Sequence, residues 1–268
     1  MKLLVCIKQI LDPEIPVRDF SIDREKLEAD SANANQVTNI FCENALETAL
    51  QLRDSVGESS ITVICFGRES AEDSLRKALA MKADEACLVM NDLNHTPDSA
   101  TTAHVLASAI ESLGSFDLIF TGRESGDWGN GQTGAYLAEE LKVPYLPFVD
   151  DIKQTDKGFE VRRQTESGWE RYGIPASSVV TITNSDHNLP RIPKTRDIMM
   201  SHRKTITRVS FEDLKIRKDE LNPQSDSVRP VKLFVPEKES ACEFIEGENL
   251  NAKIDQLADK IMEIRSTL

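Results

Sequence analysis

The feature that most constrains the fold of this chain is the alternation of short apolar runs with helical patterns. Apolar runs at residues 3–7, 61–66, 86–90 and 117–120 are each followed by a segment with apolar residues at helical spacing. These helical segments are 41–53, 70–81, 101–113 and 134–141. The alternation predicts an α/β fold, with an open and mostly parallel sheet that carries helices on both faces.

The pattern changes after Pro147. Segments 148–154, 158–164 and 169–174 are rich in β-forming residues and are separated by turn-forming residues, which predicts an antiparallel β meander attached to the sheet. A last core strand is expected at 179–183. The α/β domain should therefore occupy residues 1–183.

Prolines interrupt the chain from about residue 184, and an amphipathic helix is predicted at 249–266. We therefore expect an extended linker over 184–235 and a C-terminal arm over 236–268 that ends in this helix. The apolar stripe of the helix either embraces another chain, which we favour, or folds back onto its own sheet. The stripe consists of Leu250, Ile254, Leu257, Ile261 and Ile264.

Composition excludes several classes of function. The net charge of −13 over 268 residues argues against general nucleic-acid binding, and no apolar run is long enough to cross a bilayer. The five cysteines are scattered, which is typical of reduced thiols rather than of a disulfide framework or a metal site. The chain opens directly on an apolar strand, so we expect no signal peptide and a cytoplasmic location.

A glycine-rich loop between a buried strand and a helix is the strongest functional signal. Gly126, Gly129, Gly131 and Gly134 lie between the apolar run 118–120 and the helical residues 135–141. Glycine lets backbone N–H groups approach an anion, and a helix N-terminus adds partial positive charge. The loop therefore predicts a phosphate site, although glycine also clusters in ordinary surface loops. It is neither a Walker loop nor a dinucleotide fingerprint at the first strand.

Two further loops should lie at the same edge of the sheet. Asn39, before the first helix, either caps that helix or meets a ligand. Gly67, after the second strand, either lets backbone approach a ligand or forms an ordinary tight turn. No catalytic triad and no metal-ligand spacing is present, so we expect neither catalytic residues nor a metal site.

The segment 191–204 concentrates basic charge in an acidic chain and includes Ile198, Met199 and Met200. It is either a solvated loop or a docking surface, and exposed methionines favour docking.

Several motifs resemble the β subunit of electron transfer flavoproteins, in the same order. They are the opening Lys2-Leu-Leu-Val-Cys-Ile-Lys-Gln-Ile-Leu-Asp12, Asn39-Ile-Phe-Cys-Glu-Asn-Ala-Leu-Glu-Thr-Ala-Leu50, Leu75-Arg-Lys-Ala-Leu-Ala-Met-Lys-Ala-Asp84 and, above all, Gly122-Arg-Glu-Ser-Gly-Asp followed by Gly-Gln-Thr-Gly134. The similarity continues through Val161-Arg-Arg163, Gly168-Trp-Glu170, Val179-Val-Thr181, Pro190-Arg-Ile192 and Ile198-Met199, so it covers about residues 1–205.

This resemblance implies a Rossmann-like, adenine-nucleotide-binding domain in a heterodimer whose α subunit holds most of a redox-active FAD. The β subunit of this family carries AMP in simple carriers, or a second FAD in electron-bifurcating members that also use NADH. The expected donors are flavin-dependent dehydrogenases such as acyl-CoA dehydrogenases. The implied role is electron carriage rather than enzyme catalysis, with no nucleic-acid partner and no direct membrane insertion.

The resemblance also implies which residues bind. Loop N–H groups and the Thr133 hydroxyl would hold phosphate, Asp127 would reach a ribose hydroxyl, and Cys6 and Phe66 would flank adenine through their backbone. The residues that match the nucleotide pocket are Cys6, Asn39, Ile40, Phe41, Cys42, Phe66, Arg123, Glu124, Ser125, Gly126, Asp127, Gly129, Asn130, Gly131, Gln132, Thr133 and Gly134.

Segment 191–204 matches the family's recognition loop, which docks the dehydrogenase. The expected docking residues are Thr195, Arg196, Ile198, Met199 and Arg203.

The chain departs from the family pattern in four places. Trp128 stands within the glycine loop, and Lys82 replaces a glycine that is usual in the family. Pro175 lies two residues earlier than the proline that the family places before the Val-Val-Thr strand. Thr195 stands where simple carriers have a leucine that anchors the dehydrogenase. A stand-alone ATP-binding module or an adenylylating enzyme of similar fold is the alternative from another functional class.

Overall fold

The computed structural model describes residues 1–30, 34–221, 226, 228–236 and 242–267. The chain divides into two compact units, Met1–Leu233 and Phe234–Leu268.

The first unit contains the sheet strands and five of the helices. The strands are β1 Lys2–Ile7, β2 Gln9–Leu11, β3 Ile22–Asp23, β4 Glu28–Ala29, β5 Gln36–Thr38, β6 Ser60–Gly67, β7 Glu85–Met90, β8 Leu118–Gly122, β9 Tyr145–Thr155, β10 Gly158–Thr165, β11 Gly168–Ile174, β12 Ser178–Ile182 and β13 Ile206–Val209. The helices are α1 Ile40–Val56, α2 Glu72–Ala80, α3 Ser99–Leu113, α4 Thr133–Leu141 and α5 Thr195–Ser201, with α6 Leu250–Thr267 in the second unit.

A nine-stranded sheet forms the core, in the order β11-β10-β9-β12-β8-β1-β6-β7-β13. β10 and β11 run antiparallel to their neighbours, whereas the other strand pairs are parallel. One apolar cluster joins the sheet to α1 and α2, and a second joins it to α3 and α4. The structure thus confirms an α/β fold with helices on both faces of a mostly parallel sheet.

The order of the strands creates a switch point at the centre of the sheet. After β1 the chain builds outwards through β6 and β7, and then crosses to the other side of β1 to form β8. In open α/β sheets, ligands bind in the crevice beyond the carboxyl ends of the strands at such a reversal. Here the crevice lies beyond the ends of β1 and β8.

The predicted meander is present, with one addition. β9 pairs antiparallel with β10, but its other edge pairs parallel with β12, so the meander continues the main sheet. An ion pair holds β9 and β10 together: the Arg162 guanidinium donates to both oxygens of the buried Asp150 carboxylate, at 2.8 and 2.6 Å. The same guanidinium lies 4.5 Å from the ring centroid of Trp169.

The proline-broken stretch contains more regular structure than the sequence suggested. β13 extends the sheet next to β7, and α5 precedes it. Only the first and last residues of this four-residue strand, Ile206 and Val209, are buried, so its sequence lacks the alternation of apolar and polar residues that predicts a strand. The small strand pairs β2–β5 and β3–β4 were also not predicted.

The second unit contains α6, whose predicted existence and limits are confirmed to within a residue. None of its described side chains is buried. Among the residues that the structure describes, no helix is long and apolar enough to cross a membrane.

Candidate nucleotide site

Asn39 fastens the glycine loop to the start of α1. Its side chain is buried, and its Nδ2 donates to the Glu124 carbonyl at 2.8 Å while its Oδ1 accepts from the Gly126 N–H at 3.1 Å. A longer contact joins Nδ2 to the Cys42 sulfur at 3.4 Å. Asn39 occupies the N-cap position, but its side chain makes no cap hydrogen bond. Its amide therefore shapes the loop beyond β8 instead of capping α1.

Lys8 is a member of the site that the sequence did not single out. Its ammonium donates to both oxygens of the Asp127 carboxylate, at 2.7 and 2.8 Å, and to the Ser125 hydroxyl at 3.2 Å. Lys8 follows β1 directly, and that position beside the central strand was the available signal. The structure thus joins the end of β1 to the glycine loop through an ion pair.

Two glycines of the loop have the left-handed backbone that favours glycine. Gly129 has φ +64 with no atom near a virtual Cβ, whereas Gly131 has φ +62 and its Cβ would lie 3.3 Å from the Arg123 carbonyl oxygen. Gly131 therefore needs to be glycine both for its backbone angle and for the approach of the returning chain.

The loop ends where α4 begins, at Thr133. Gln132 is the N-cap residue and makes no side-chain hydrogen bond, so no cap side chain from this position covers the first-turn amides. Uncapped amides at a helix N-terminus attract anions. Gly134 has another purpose: a Cβ there would lie 2.4 Å from Thr181 Cγ2, so its glycine lets α4 pack on the sheet.

Arg123 is held within the protein at the base of the loop. Its guanidinium lies 4.8 Å from the ring centroid of Phe41, donates to Glu124 at 2.6 Å and reaches the Thr183 hydroxyl at 3.3 Å. These contacts fix the direction in which the chain leaves β8. A virtual Cβ on Gly122 would lie 2.9 Å from the Phe41 Cβ, so glycine lets α1 and β8 meet here.

The remaining predicted residues divide into buried and open groups. Cys6 and Cys42 are buried in the core, and Phe66 packs edge-to-face on Phe211 at 5.9 Å between ring centroids. Burial raises the pKa of both thiols above the ordinary value. The exposed residues are Ile40, Gly126, Asp127, Gly129, Asn130, Gly131 and Gln132.

Three residues of the predicted docking segment present an apolar surface on α5. Ile198, Met199 and Met200 are 44%, 65% and 46% exposed, and Thr195, Arg196 and Arg203 are also exposed. Arg191 behaves differently, because it donates to the Glu47 carboxylate at 2.8 and 3.0 Å and to Asp54 at 3.0 Å. The basic segment thus begins with a residue that is tied to α1.

The sequence model of the electron transfer flavoprotein domain matches residues 27–214, well over half of the chain. The chain is 30% identical to an electron transfer flavoprotein subunit beta of Thermoanaerobacterium thermosaccharolyticum, over 97% of this chain and 98% of the relative. This protein belongs to the electron transfer flavoprotein family.

Two other relatives of this chain are named as parts of reductase complexes. It is 29% identical to the caffeyl-CoA reductase-Etf complex subunit CarD of Acetobacterium woodii, over 98% of both chains. It is 27% identical to the acryloyl-CoA reductase electron transfer subunit gamma of Anaerotignum propionicum, again over 98% of both. The family's electron-transfer role therefore applies to chains that match this one almost end to end.

The four departures from the family pattern now have structural positions. Trp128 is 40% exposed on the glycine loop, and Thr195 is the first residue of α5. Pro175 follows β11 directly. Lys82 has φ +94, a backbone angle that explains why the family usually has glycine there. No cluster of potential metal ligands occurs among the described residues.

Proposed function

We propose that this protein is the β subunit of an electron transfer flavoprotein heterodimer. It pairs with an α subunit that holds FAD and passes electrons from a flavin-dependent dehydrogenase to a downstream acceptor. The flavin supplies the redox chemistry, while the protein supplies binding, orientation and electrostatics, as a carrier rather than an enzyme. The observation that supports this best is the glycine loop fastened by Asn39 at the switch point of a chain in this family.

The proposed ligand of the glycine loop is the adenylate part of AMP or of a second FAD. Main-chain amides between Asn130 and Gly134 and the Thr133 hydroxyl hold phosphate, with the N-terminus of α4 adding positive potential. Lys8 lies within 2.8 Å of Asp127 and 3.2 Å of Ser125, so it contributes a cation at the same edge. A ribose hydroxyl that binds Asp127 would share that carboxylate with Lys8.

Nucleotide analysis of the purified heterodimer tests this function and its nearest alternative. The bound molecules are released by denaturation and counted per αβ pair. One FAD with one AMP identifies a simple carrier, whereas two FAD identify an electron-bifurcating subunit in which NADH reduces the β-bound flavin. Absence of any adenine nucleotide from the β subunit would refute both versions.

The proposed donor or acceptor is an enzyme that acts on CoA esters, of the acyl-CoA dehydrogenase type. Two relatives that match nearly the whole chain carry the names of CoA-ester reductase complexes. We propose that it docks on the recognition loop, within residues 184–235, through Thr195, Arg196, Ile198, Met199 and Arg203. Of these, Ile198 and Met199 form part of the apolar surface of α5.

Changing Arg196 and Arg203 to glutamine tests the docking surface. Both side chains are exposed, so the heterodimer should keep its fold and its nucleotides while electron transfer slows at low salt. Equal transfer rates at low salt for the variant and the parent would reject the docking role.

The C-terminal arm, residues 236–268, is proposed to embrace the α subunit. α6 leaves Leu250, Ile254, Leu257 and Ile261 between 47% and 72% exposed, all on one stripe of an 18-residue helix. A stripe of that length is stable in water when another surface covers it. Deleting 236–268 should abolish co-purification of the α subunit while the α/β domain stays folded.

A stand-alone ATP-binding module or adenylylating enzyme remains the alternative from another class. Purification of this chain alone as a colourless monomer that hydrolyses ATP would favour that alternative. The complex is proposed to work in the cytoplasm, because all five cysteines are unpaired, as is usual in a reducing compartment.

A further inference from the structure

α5 has its polar side towards the protein and its apolar side outwards. Of its seven described residues only Ser201 is buried, and Asp197 is partly covered, whereas Ile198, Met199 and Met200 face outwards. A helix of seven residues is too short to be stable on its own in water. Ile198 and Met200 are about half covered and Met199 is mostly exposed, so apolar burial is incomplete and polar contacts help to hold the helix.

Basic side chains of α2 and of the turn after it hold α5 at both ends. Near its C-terminus, Arg76 donates to the carbonyls of Ser201 and Lys204 at 2.7 and 2.5 Å. Near its N-terminus, the Lys82 ammonium donates to the Asp197 carboxylate. Both pairs also suit the helix dipole, because an acid lies in the first turn and a cation meets the last carbonyls.

The Lys82 backbone is unusual and is held in place. Its φ of +94 is an angle that L residues rarely adopt, and its carbonyl accepts from Arg53 Nη1 at 2.8 Å. Strained backbone of this kind persists where the surroundings require it. Glycine would remove the strain but would leave Asp197 without its ammonium partner.

We propose that Lys82 is a positioning residue for docking of the dehydrogenase. Its ammonium holds Asp197 so that α5 presents Ile198 and Met199 outwards, and the strained backbone is the consequence of placing a side chain there. This inference rests on the docking role proposed above.

Three variants of the full αβ complex separate charge from backbone strain. Lys82→Met keeps the strain and loses the charge, Lys82→Gly loses both, and Lys82→Arg keeps both. Amide hydrogen exchange of α5 and the KM for the co-purifying CoA-ester dehydrogenase are measured, together with the thermal midpoint. Since an exposed ion pair is lost, Met and Gly should both speed exchange and raise KM by about 2- to 5-fold, with kcat unchanged.

The thermal midpoint should depend on the backbone strain at residue 82 and not on its charge. The midpoint of Lys82→Gly should exceed that of Lys82→Met by about 2–4 °C, because glycine adopts the same φ without strain. Lys82→Arg should restore both the exchange rate and the KM. Parental exchange and KM in Lys82→Gly would overturn the proposal.

A surface variant distinguishes failure of this inference from failure of the docking role. Met199→Ser changes the outward face of α5 and leaves the contacts of Arg76 and Lys82 with α5 intact. If it raises the KM while Lys82→Met speeds exchange without changing the KM, the positioning role is wrong and docking stands. If Met199→Ser also leaves the KM unchanged, α5 is not the docking site, and the positioning role fails with it.

Discussion

Replacing Gly131 with valine tests the placement of the nucleotide loop. Gly131 has φ +62, and a Cβ there would lie 3.3 Å from the Arg123 carbonyl oxygen. A left-handed backbone costs an L residue about 1–2 kcal/mol, and the crowded valine methyls bring the total to about 2 kcal/mol or more. If binding requires the native loop, about 2 kcal/mol corresponds to about 30-fold weaker nucleotide binding.

The assay is the content of AMP or FAD in the β subunit after gel filtration, followed by titration of the stripped heterodimer with the same nucleotide. The thermal midpoint should also fall, because a ligand stabilises only the form that binds it. Gly129→Val is the matched control, since Gly129 has φ +64 but nothing within 4 Å of its virtual Cβ. It should weaken binding less. Parental affinity in Gly131→Val, or a larger loss in Gly129→Val, would refute the reasoning.

Three further predictions concern the loop support, the meander and the thiols. Asn39→Ala removes both hydrogen bonds to the glycine loop, so titration should show nucleotide binding weaker by about 30-fold, at about 1 kcal/mol for each bond. Arg162→Met leaves the Asp150 carboxylate buried without its partner, so urea unfolding should show a loss of about 3–5 kcal/mol, and a smaller loss for Asp150→Asn would agree with this asymmetry. Burial raises the pKa of the Cys87 thiol to about 11 from 9.0, so its stabilising effect is complete below pH 9 and is lost as pH rises towards 11, by up to about 1.4 kcal/mol per pH unit. Cys87→Ala should reduce this alkaline slope in urea titrations by the share of one thiol, because the buried Cys6, Cys42 and Cys65 keep theirs, and Cys242→Ser, at an exposed thiol, should not change it.

The central strands were predictable because each is a nearly continuous apolar run. β1, β6 and β8 lie buried between two layers of helices, so nearly every residue in them must be apolar. β13 was missed because it has four residues, of which only the first and the last point into the core. Such a strand forms because β7 offers it an edge, which a local pattern does not reveal.

The geometry of the candidate site was predictable where the backbone decides it and not where distant side chains do. Gly131 was identified correctly as a glycine-requiring position, since its backbone angle restricts the residue type locally. Lys8 was missed because its partner Asp127 lies 119 residues away, and only the fold brings them together. Likewise the ion pair between Lys82 and Asp197 could not be predicted, because the two residues lie 115 positions apart in the sequence.

If the α subunit covers α6 as proposed, the exposed apolar stripe of that helix has a consequence for how the cell balances the two subunits. An unassembled copy carries large aliphatic side chains in water on that helix, such as Ile254 and Ile261 at 53% and 55% exposure. Exposed aliphatic surface is what chaperones and degradative proteases recognise in incomplete assemblies. Copies made in excess of the α subunit should therefore be removed, so the abundance of this chain should follow that of its partner.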